Sequence, residues 1–333
     1  MVQFRRKEYW EKRGKTKFIV KNGEILLEKL ITTFDGNRNP ICNFSSKELK
    51  LVTNNYDTMN VITEDWFFKL YKGFLLDRQI SVMKFESKSQ KAYDECINNI
   101  VFASQMCHKH ILKLIGCCLE TEVPILVFDS LVKYGTLQDH ILSHHESHFE
   151  PLSWRQRLKI AMEISHTFAY LHIGFPRPIV YSRMSSSQFL LDEHCVPKLF
   201  EFSHAQCIPE GETQIKDAKI RGTQGYIAPE HILMAVLDEK CDVYGFGSLL
   251  LELLTGQRPS DISKIEGTCN LFDNWFIEAV DPIIVGDGLC PEIAQQLKVC
   301  MELAVKCRSY SGEDRPTMID AAKQLRQLYL STS

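Results

Sequence analysis

Residues 179–203 read IVYSRMSSSQFLLDEHCVPKLFEFS, and the fold class follows from what lies on either side of them. The stretch sits in a loop-rich centre running from Phe175 to Glu230. Upstream, from Phe44 to Leu126, short runs at Trp66–Leu70 and Gln79–Phe85, followed by Pro124–Phe128, alternate as strands do, with one helical stretch from Tyr93 to Cys107 among them. Beyond Gly135 the periodicity is mainly helical, led by a long amphipathic element from Trp154 to His172. A sheet-rich segment followed by a helical one makes an α+β fold of two lobes, with the hinge near Phe128 to Tyr134. The divisions expected are an N-terminal extension (1–40), a small β-rich lobe (41–130) and a larger helical lobe (131–330).

The extension begins polar, then carries Gly23, Ile25, Leu26, Leu27, Leu30 and Ile31 before a turn cluster, DGNRNP, at 35–40. Leu26 and Leu30, like Leu27 and Ile31, are four apart, which predicts a short helix with a broad apolar surface. Part of that surface suits its own lobe. The row Gly23, Leu27 and Ile31 lies on one helix face and is the candidate for contact with a partner.

Composition narrows the function classes. The chain has 333 residues, 44% apolar and 24% charged, with a formal charge of −3. Basic runs such as Arg5 to Lys7 are short and diluted, which argues against a nucleic-acid role. Twelve cysteines are scattered without CxxC spacing and include the adjacent pair Cys117 and Cys118, so reduced buried thiols are expected rather than a disulfide scaffold or a zinc site. No secretory leader is recognisable, and the longest apolar run, Gly245 to Leu254, is half the ~20 residues a membrane span needs. Val2 argues against N-myristoylation and no cysteine stands in a C-terminal prenylation box. The expectation is a cytoplasmic protein with no direct membrane anchor, reaching the plasma membrane only through partners.

Six segments fall in the order and intervals of protein-kinase signatures: SVMK (81–84), YSR (181–183) at the HRD position, EFS (201–203) at the DFG position, GTQGYIAPE (222–230), DVYGFG (242–247) and EDRP (313–316). Together with TNNY (53–56), HKHILKLIGCCLE (108–120) and LSWRQRLKIAMEISHTFAYLH (152–172), they make residues 20–330 resemble plant wall-associated kinases. The chain is most similar to the cytoplasmic HopZ-ETI-deficient-related pseudokinases. The resemblance implies a bilobal kinase-like fold, with Glu230 and Arg315 as a buried ion pair and Asp242 anchoring the 181–183 backbone from the start of a buried apolar helix, Val243 to Leu254.

It also shows what has been exchanged. At the glycine-rich phosphate loop stand Thr63, Asp65, Phe68 and Leu70, so the close backbone approach that glycine allows is lost. Lys84 aligns with the lysine that pairs the α- and β-phosphates, but its helix glutamate is replaced by Asn99; Glu95, one turn away, is the alternative countercharge. Arg183 puts a permanent cation where the general base belongs, a loss that typically costs ~10²–10⁴ in rate. Gln188 and Glu201 replace the magnesium ligands, each one methylene longer than an octahedral Mg²⁺ site accommodates. Ser185 replaces the loop lysine that neutralises the transferring phosphate. No cofactor or metal is therefore expected.

By resemblance, the function expected is that of an inactive adaptor or decoy in plant innate immunity. Its partners would be the leucine-rich-repeat part of a coiled-coil NLR receptor and a pathogen effector or effector-modified kinase. The activation segment, Cys207 to Thr223, offers Thr213, Thr223, Lys216 and Lys219 to a modifying enzyme. The alternatives are a weakly active Ser/Thr kinase built on Lys84 and Glu201, or an allosteric partner of an active kinase.

Overall fold

The computed structural model describes residues 2–36, 41–76, 78–129, 132–142, 151–266, 279–286 and 290–331; within them, side chains are described except at 2–13, 133–134 and 263–266. The chain forms two units, Met1–Gly135 with Phe200–His204, and Thr136–Leu199 with Ala205–Ser333. No described helix is long and apolar enough to cross a membrane. The turn expected at 35–40 and the hinge at 128–134 both run into undescribed residues.

In the first unit, α1 (Val2–Phe34) and β1 (Cys42–Asn43) precede α2 (Ser46–Val52), β2 (Val61–Glu64), β3 (Phe68–Leu75) and β4 (Arg78–Phe85). Then come α3 (Gln90–Gln105), β5 (Leu114–Cys118), β6 (Ile125–Asp129) and β7 (Val132–Thr136), which runs across the boundary. Six strands make one sheet in the order β1-β5-β6-β4-β3-β2. Only β1 and β5 pair in parallel among these, with Cys42 opposite Gly116. Glycine is required there: a Cβ at residue 116 would lie 2.3 Å from the Cys42 carbonyl oxygen and 2.4 Å from the Phe44 ring. The β3–β4 ladder runs unbroken from Phe68 opposite Phe85 to Leu75 opposite Arg78. One face of the sheet packs Tyr71, Ile80, Val82, Ile125 and Val127 against Leu49 of α2.

The N-terminal helix is much longer than expected. It spans 33 residues in place of a short element around residue 25. Its polar first half lacks apolar periodicity, but Lys, Arg, Glu and Gln are good helix formers and no proline interrupts them. It is also part of the first unit. The buried Asn22 donates from Nδ2 to the Leu119 and Thr121 carbonyls (3.0 and 2.9 Å) and accepts from the Tyr93 hydroxyl at 3.0 Å. Lys15 pairs with Glu120 at 2.8 Å, and Phe34 meets Phe102 edge-on at 5.4 Å. Leu26 and Leu30 are buried, whereas Leu27 and Ile31 are 52% and 53% exposed.

The second unit contains α4 (Leu137–Leu142), α5 (Trp154–Ile173), β8 (Ile179–Val180), β9 (Phe189–Asp192), β10 (Pro197–Leu199), β11 (Gln206–Cys207) and α6 (Pro229–Met234). α7 (Glu239–Thr255) follows, then α8 (Pro259–Glu266), α9 (Pro282–Val285), α10 (Pro291–Cys307) and α11 (Met318–Leu330). α5 starts at a reciprocal Ser153–Gln156 cap, and α7 starts at Asp238 and closes on Gly256 at φ 66°. α7 is buried along nearly its whole length, because its apolar residues surround the axis rather than marking one stripe. α5 packs against α7 and α11. The fully buried Arg157 donates to the Leu152 and Leu253 carbonyls (3.0 and 2.9 Å) and pairs with Asp281 at 2.7 Å, tying α5, α7 and α9 together.

Candidate functional site

The two faces of β4 decide what the first unit can offer a nucleotide. Successive side chains of a strand point to opposite sides. Met83 points toward α3, where its sulfur accepts the Asn99 Nδ2 at 3.3 Å. Phe85 shares that face and packs on Phe68 at 5.8 Å, and Phe68 in turn meets Phe200 at 6.1 Å. Lys84 lies on the other face, its Nζ 2.8 Å from Glu86 and 5.2 Å from the centre of the Tyr56 ring. Tyr56 arrives there through three consecutive left-handed residues, Asn54, Asn55 and Tyr56.

Lys84, expected to stand at the phosphate-pairing position without function, instead faces away from Asn99. The residue facing Asn99 is Met83, so the phosphate-pairing position holds a thioether. Matching SVMK by its lysine sets the register one residue too far along, and a one-residue slip exchanges the faces of a strand. Glu95 does not supply the countercharge either; it lies buried, 3.9 Å from Lys91 and 3.5 Å from His204.

The β2–β3 turn is closed by its own groups. Thr63 pairs opposite Leu70, and Asp65 donates its N–H to the Phe68 carbonyl at 2.9 Å while its carboxylate accepts the Trp66 N–H at 2.5 Å. The Phe67 carbonyl accepts from the Glu86 N–H at 2.9 Å, with Lys91 over the Phe67 ring at 4.4 Å. The Asp65 and Trp66 N–H groups, which a glycine loop would present to an anion, are thus committed, and a carboxylate stands beside them.

Residues 201–203 are held by α3. Phe202 donates its N–H to Asn99 Oδ1 at 3.0 Å, and Asn98 Nδ2 donates to the carbonyls of Phe202 (3.3 Å) and Ser203 (3.0 Å). Glu201 is fully buried. Its Oε1 accepts the Ser203 N–H at 2.7 Å and the Ser203 hydroxyl. The carboxylate is thereby folded onto its neighbour, a use of the oxygen that competes with metal coordination.

In the second unit, Asp242 receives the backbone N–H groups of Tyr181 (2.8 Å) and Ser182 (2.9 Å) and pairs with His172 at 3.0 Å. Ser182 sits at φ 65°, which brings the loop round. Arg183 is half-buried. Ser185 is buried and caps the short turn 186–188, accepting the Ser187 N–H at 3.3 Å. Gln188 donates to the Ser187 hydroxyl at 3.4 Å, while its buried Oε1 has no hydrogen-bond partner. Ser185 and Gln188 thus hydrogen-bond within the loop itself.

The activation segment is fixed by backbone pairing. Gln206 and Cys207 pair with Val180 and Ile179, Ile215 bridges to Leu237, and the Ala218 N–H reaches the Ala235 carbonyl at 2.8 Å. Thr213, Lys216, Lys219 and Thr223 all lie exposed on it. Arg315, fully buried, donates two bonds to Glu230 (2.6 and 2.8 Å). That guanidinium holds the Glu230 carboxyl below its ordinary range against the opposing effect of burial. Among the described residues, Glu230, Asp238 and Cys241 bring possible metal ligands within 4.8 Å, but Glu230 is committed to Arg315 and burial pushes the Cys241 thiol far up.

Sequence reasoning missed Met83, Asn98 and a buried network around Glu252. The Glu252 carboxylate accepts from the Ser186 hydroxyl at 2.8 Å and from the Tyr226 hydroxyl, joining the 181–188 loop to the end of the activation segment. Burial pushes its carboxyl up to about 7. Only the interruption of an apolar helix by one acid hinted at it.

A sheet-rich unit, a helical unit and this set of loops define a protein-kinase domain. Residues 58–325 match the description of protein tyrosine and serine/threonine kinases, and the chain belongs to that family. Over 327 residues it is 36% identical to the non-functional pseudokinase ZED1 of Arabidopsis thaliana, across 94% of this chain and 96% of that one. It is 32% identical to the non-functional pseudokinase ZRK2 of the same plant, across 97% and 93% of the two chains. The putative wall-associated receptor kinase-like 16, also from Arabidopsis thaliana, is 32% identical across 95% of this chain and 73% of its own length. The resemblance to these pseudokinases and to wall-associated kinases is therefore real and spans nearly the whole chain.

Proposed function

We propose that this chain is a catalytically inactive kinase domain acting as an adaptor or decoy in plant innate immunity. The observation that carries the loss of activity is the contact of Met83 with Asn99, which puts a thioether and an amide where a lysine–glutamate pair holds ATP. Arg183, Ser185, Gln188 and the folded-back Glu201 extend that loss to the base, the phosphate-neutralising lysine and the metal ligands. The names of ZED1 and ZRK2, both non-functional pseudokinases, support the loss of activity.

An adaptor needs a stable partner surface and a modifiable one. The exposed Leu27 and Ile31, with the half-buried Gly23, form a row beside the docked face of α1; this row is the surface for the leucine-rich-repeat part of a coiled-coil NLR receptor. The activation segment is the surface for a pathogen effector or effector-modified kinase. The setting is cytoplasmic, with access to the plasma membrane through partners. Affinity purification from plant tissue followed by mass spectrometry tests this: an NLR receptor should be recovered with the wild-type chain and lost with Leu27→Glu. Recovery of an active kinase alone would favour an allosteric role.

A further inference from the structure

Charge is unevenly placed along this chain. Each basic run is short, but residues 2–21 together carry eight Lys and Arg against two Glu, a net of +6, whereas the remainder carries 31 Lys and Arg against 40 Asp and Glu, a net of −9. All twenty of these residues lie in α1, so the cationic segment is a helix roughly 30 Å long rather than a loose tail. One face of α1 is already committed to its own unit, through Lys15 on Glu120, Asn22 on the Leu119 and Thr121 carbonyls, and the buried Leu26 and Leu30. Beside that face Lys17, Ile19, Val20 and Lys21 are exposed, Ile19 by 36% and Val20 by 52%. Two aliphatic side chains thus stand between two lysines on the outside of the helix. The sequence repeats the mixture nearer its start, where Phe4, Tyr9 and Trp10 interleave with Arg5, Arg6 and Lys7.

We propose that residues 2–21 of α1 lie against an anionic phospholipid surface. A cation near such a surface strengthens binding by a factor of about five, and aromatic and aliphatic residues among the cations suit the boundary between headgroups and acyl chains. A single-stranded nucleic acid would use the cations and the aromatic rings, on which bases stack, but would leave Ile19 and Val20 without a role; a lipid surface uses both. The net negative charge of the remainder confines the contact to α1. Held mainly by charge, the contact is reversible and weakened by salt. It adds a weak membrane contact of the chain's own to recruitment through partners, and it does not depend on the Leu27–Ile31 row.

The test uses the purified full chain and lipid vesicles with no receptor present, so its result is separate from that of the capture experiment. The chain should sediment with vesicles of phosphatidylcholine and phosphatidylserine at low salt, stay in solution with phosphatidylcholine alone, and be released as salt is raised. Replacing Arg5, Arg6 and Lys7 together by Gln, a good helix former, should weaken binding roughly a hundredfold. Lys47→Gln with Lys50→Gln, which removes two exposed cations of α2, should leave it unchanged. Val20→Ser should weaken it at constant charge. Equal binding to neutral vesicles, or an equal loss in the α2 double variant, would overturn the assignment, as would binding to a single-stranded oligonucleotide in place of the anionic vesicles.

Discussion

Asn99 Oδ1 accepts the backbone N–H of Phe202 at 3.0 Å. At this helix position an active kinase keeps a glutamate for its lysine; here the side chain has been turned to holding the segment that an active kinase moves. Asn98 adds two bonds to the same segment, and Phe202 is fully buried. The first unit has exchanged an electrostatic device for a fixed packing one.

Replacing Asn99 with alanine should therefore destabilise the chain. It leaves a buried N–H without its acceptor, at a cost of about 1–3 kcal/mol, read as a lower midpoint in urea unfolding. Asn99→Glu should not create ATP binding, because the facing residue is Met83; a rise in Tm with ATP and magnesium in that variant would contradict the register of β4.

Leu27→Glu and Ile31→Glu should unfold with the wild-type midpoint, since both side chains are about half exposed, and should lose the receptor, because the charge would be buried in the contact. Leu30→Ala, one residue from that row, should instead cost ~2–5 kcal/mol by opening a cavity. Normal receptor capture by both glutamate variants would remove the partner row. Lys84→Met should leave receptor capture unchanged, as Lys84 lies on the face of β4 opposite Met83 and pairs with Glu86.

Stability should fall as pH rises through neutrality. Burial raises the Glu252 carboxyl from 4.5 to about 7, so the folded state holds this proton more tightly than the unfolded one. Its contribution is fully present below the unfolded value and is lost as pH rises through about 7. The difference amounts to at most roughly 3 kcal/mol. Urea unfolding at pH 5 and pH 8 should show the loss in wild type and a smaller one in Glu252→Gln.

Glu230→Ala should be more damaging than any single change on the activation segment surface. It strands the fully buried Arg315, and removing one partner of a buried pair typically costs 3–5 kcal/mol. Calorimetry should show a large fall in Tm; an unchanged Tm would mean that Arg315 finds its compensation in the Ser309, Tyr310 and Lys240 carbonyls it also contacts.

What the sequence discloses depends on how local the cause is. The α+β order, the extent of α5 and the apolar α7 are local patterns and are readable. Glu230, Asp242 and Arg315 stand in motifs whose spacing is tight, so their partners could be named. Lys84 could not be placed by motif alone, since a strand face turns on one residue and a lysine beside the true position attracts the match. The length of α1 was hidden because its first half lacks an apolar stripe. Asn98 and Glu252 act through residues more than 100 and 26 positions away respectively, contacts that no local pattern announces.

The central claim is that, among the described residues, the groups at the kinase positions cannot hold or transfer the phosphates of ATP. The measurement that bears on it most directly is thermal unfolding of the purified chain in rising ATP and magnesium, which reports any binding to the folded state through mass action. An unchanged Tm up to millimolar nucleotide is the predicted result. A rise that grows with nucleotide concentration would contradict the claim.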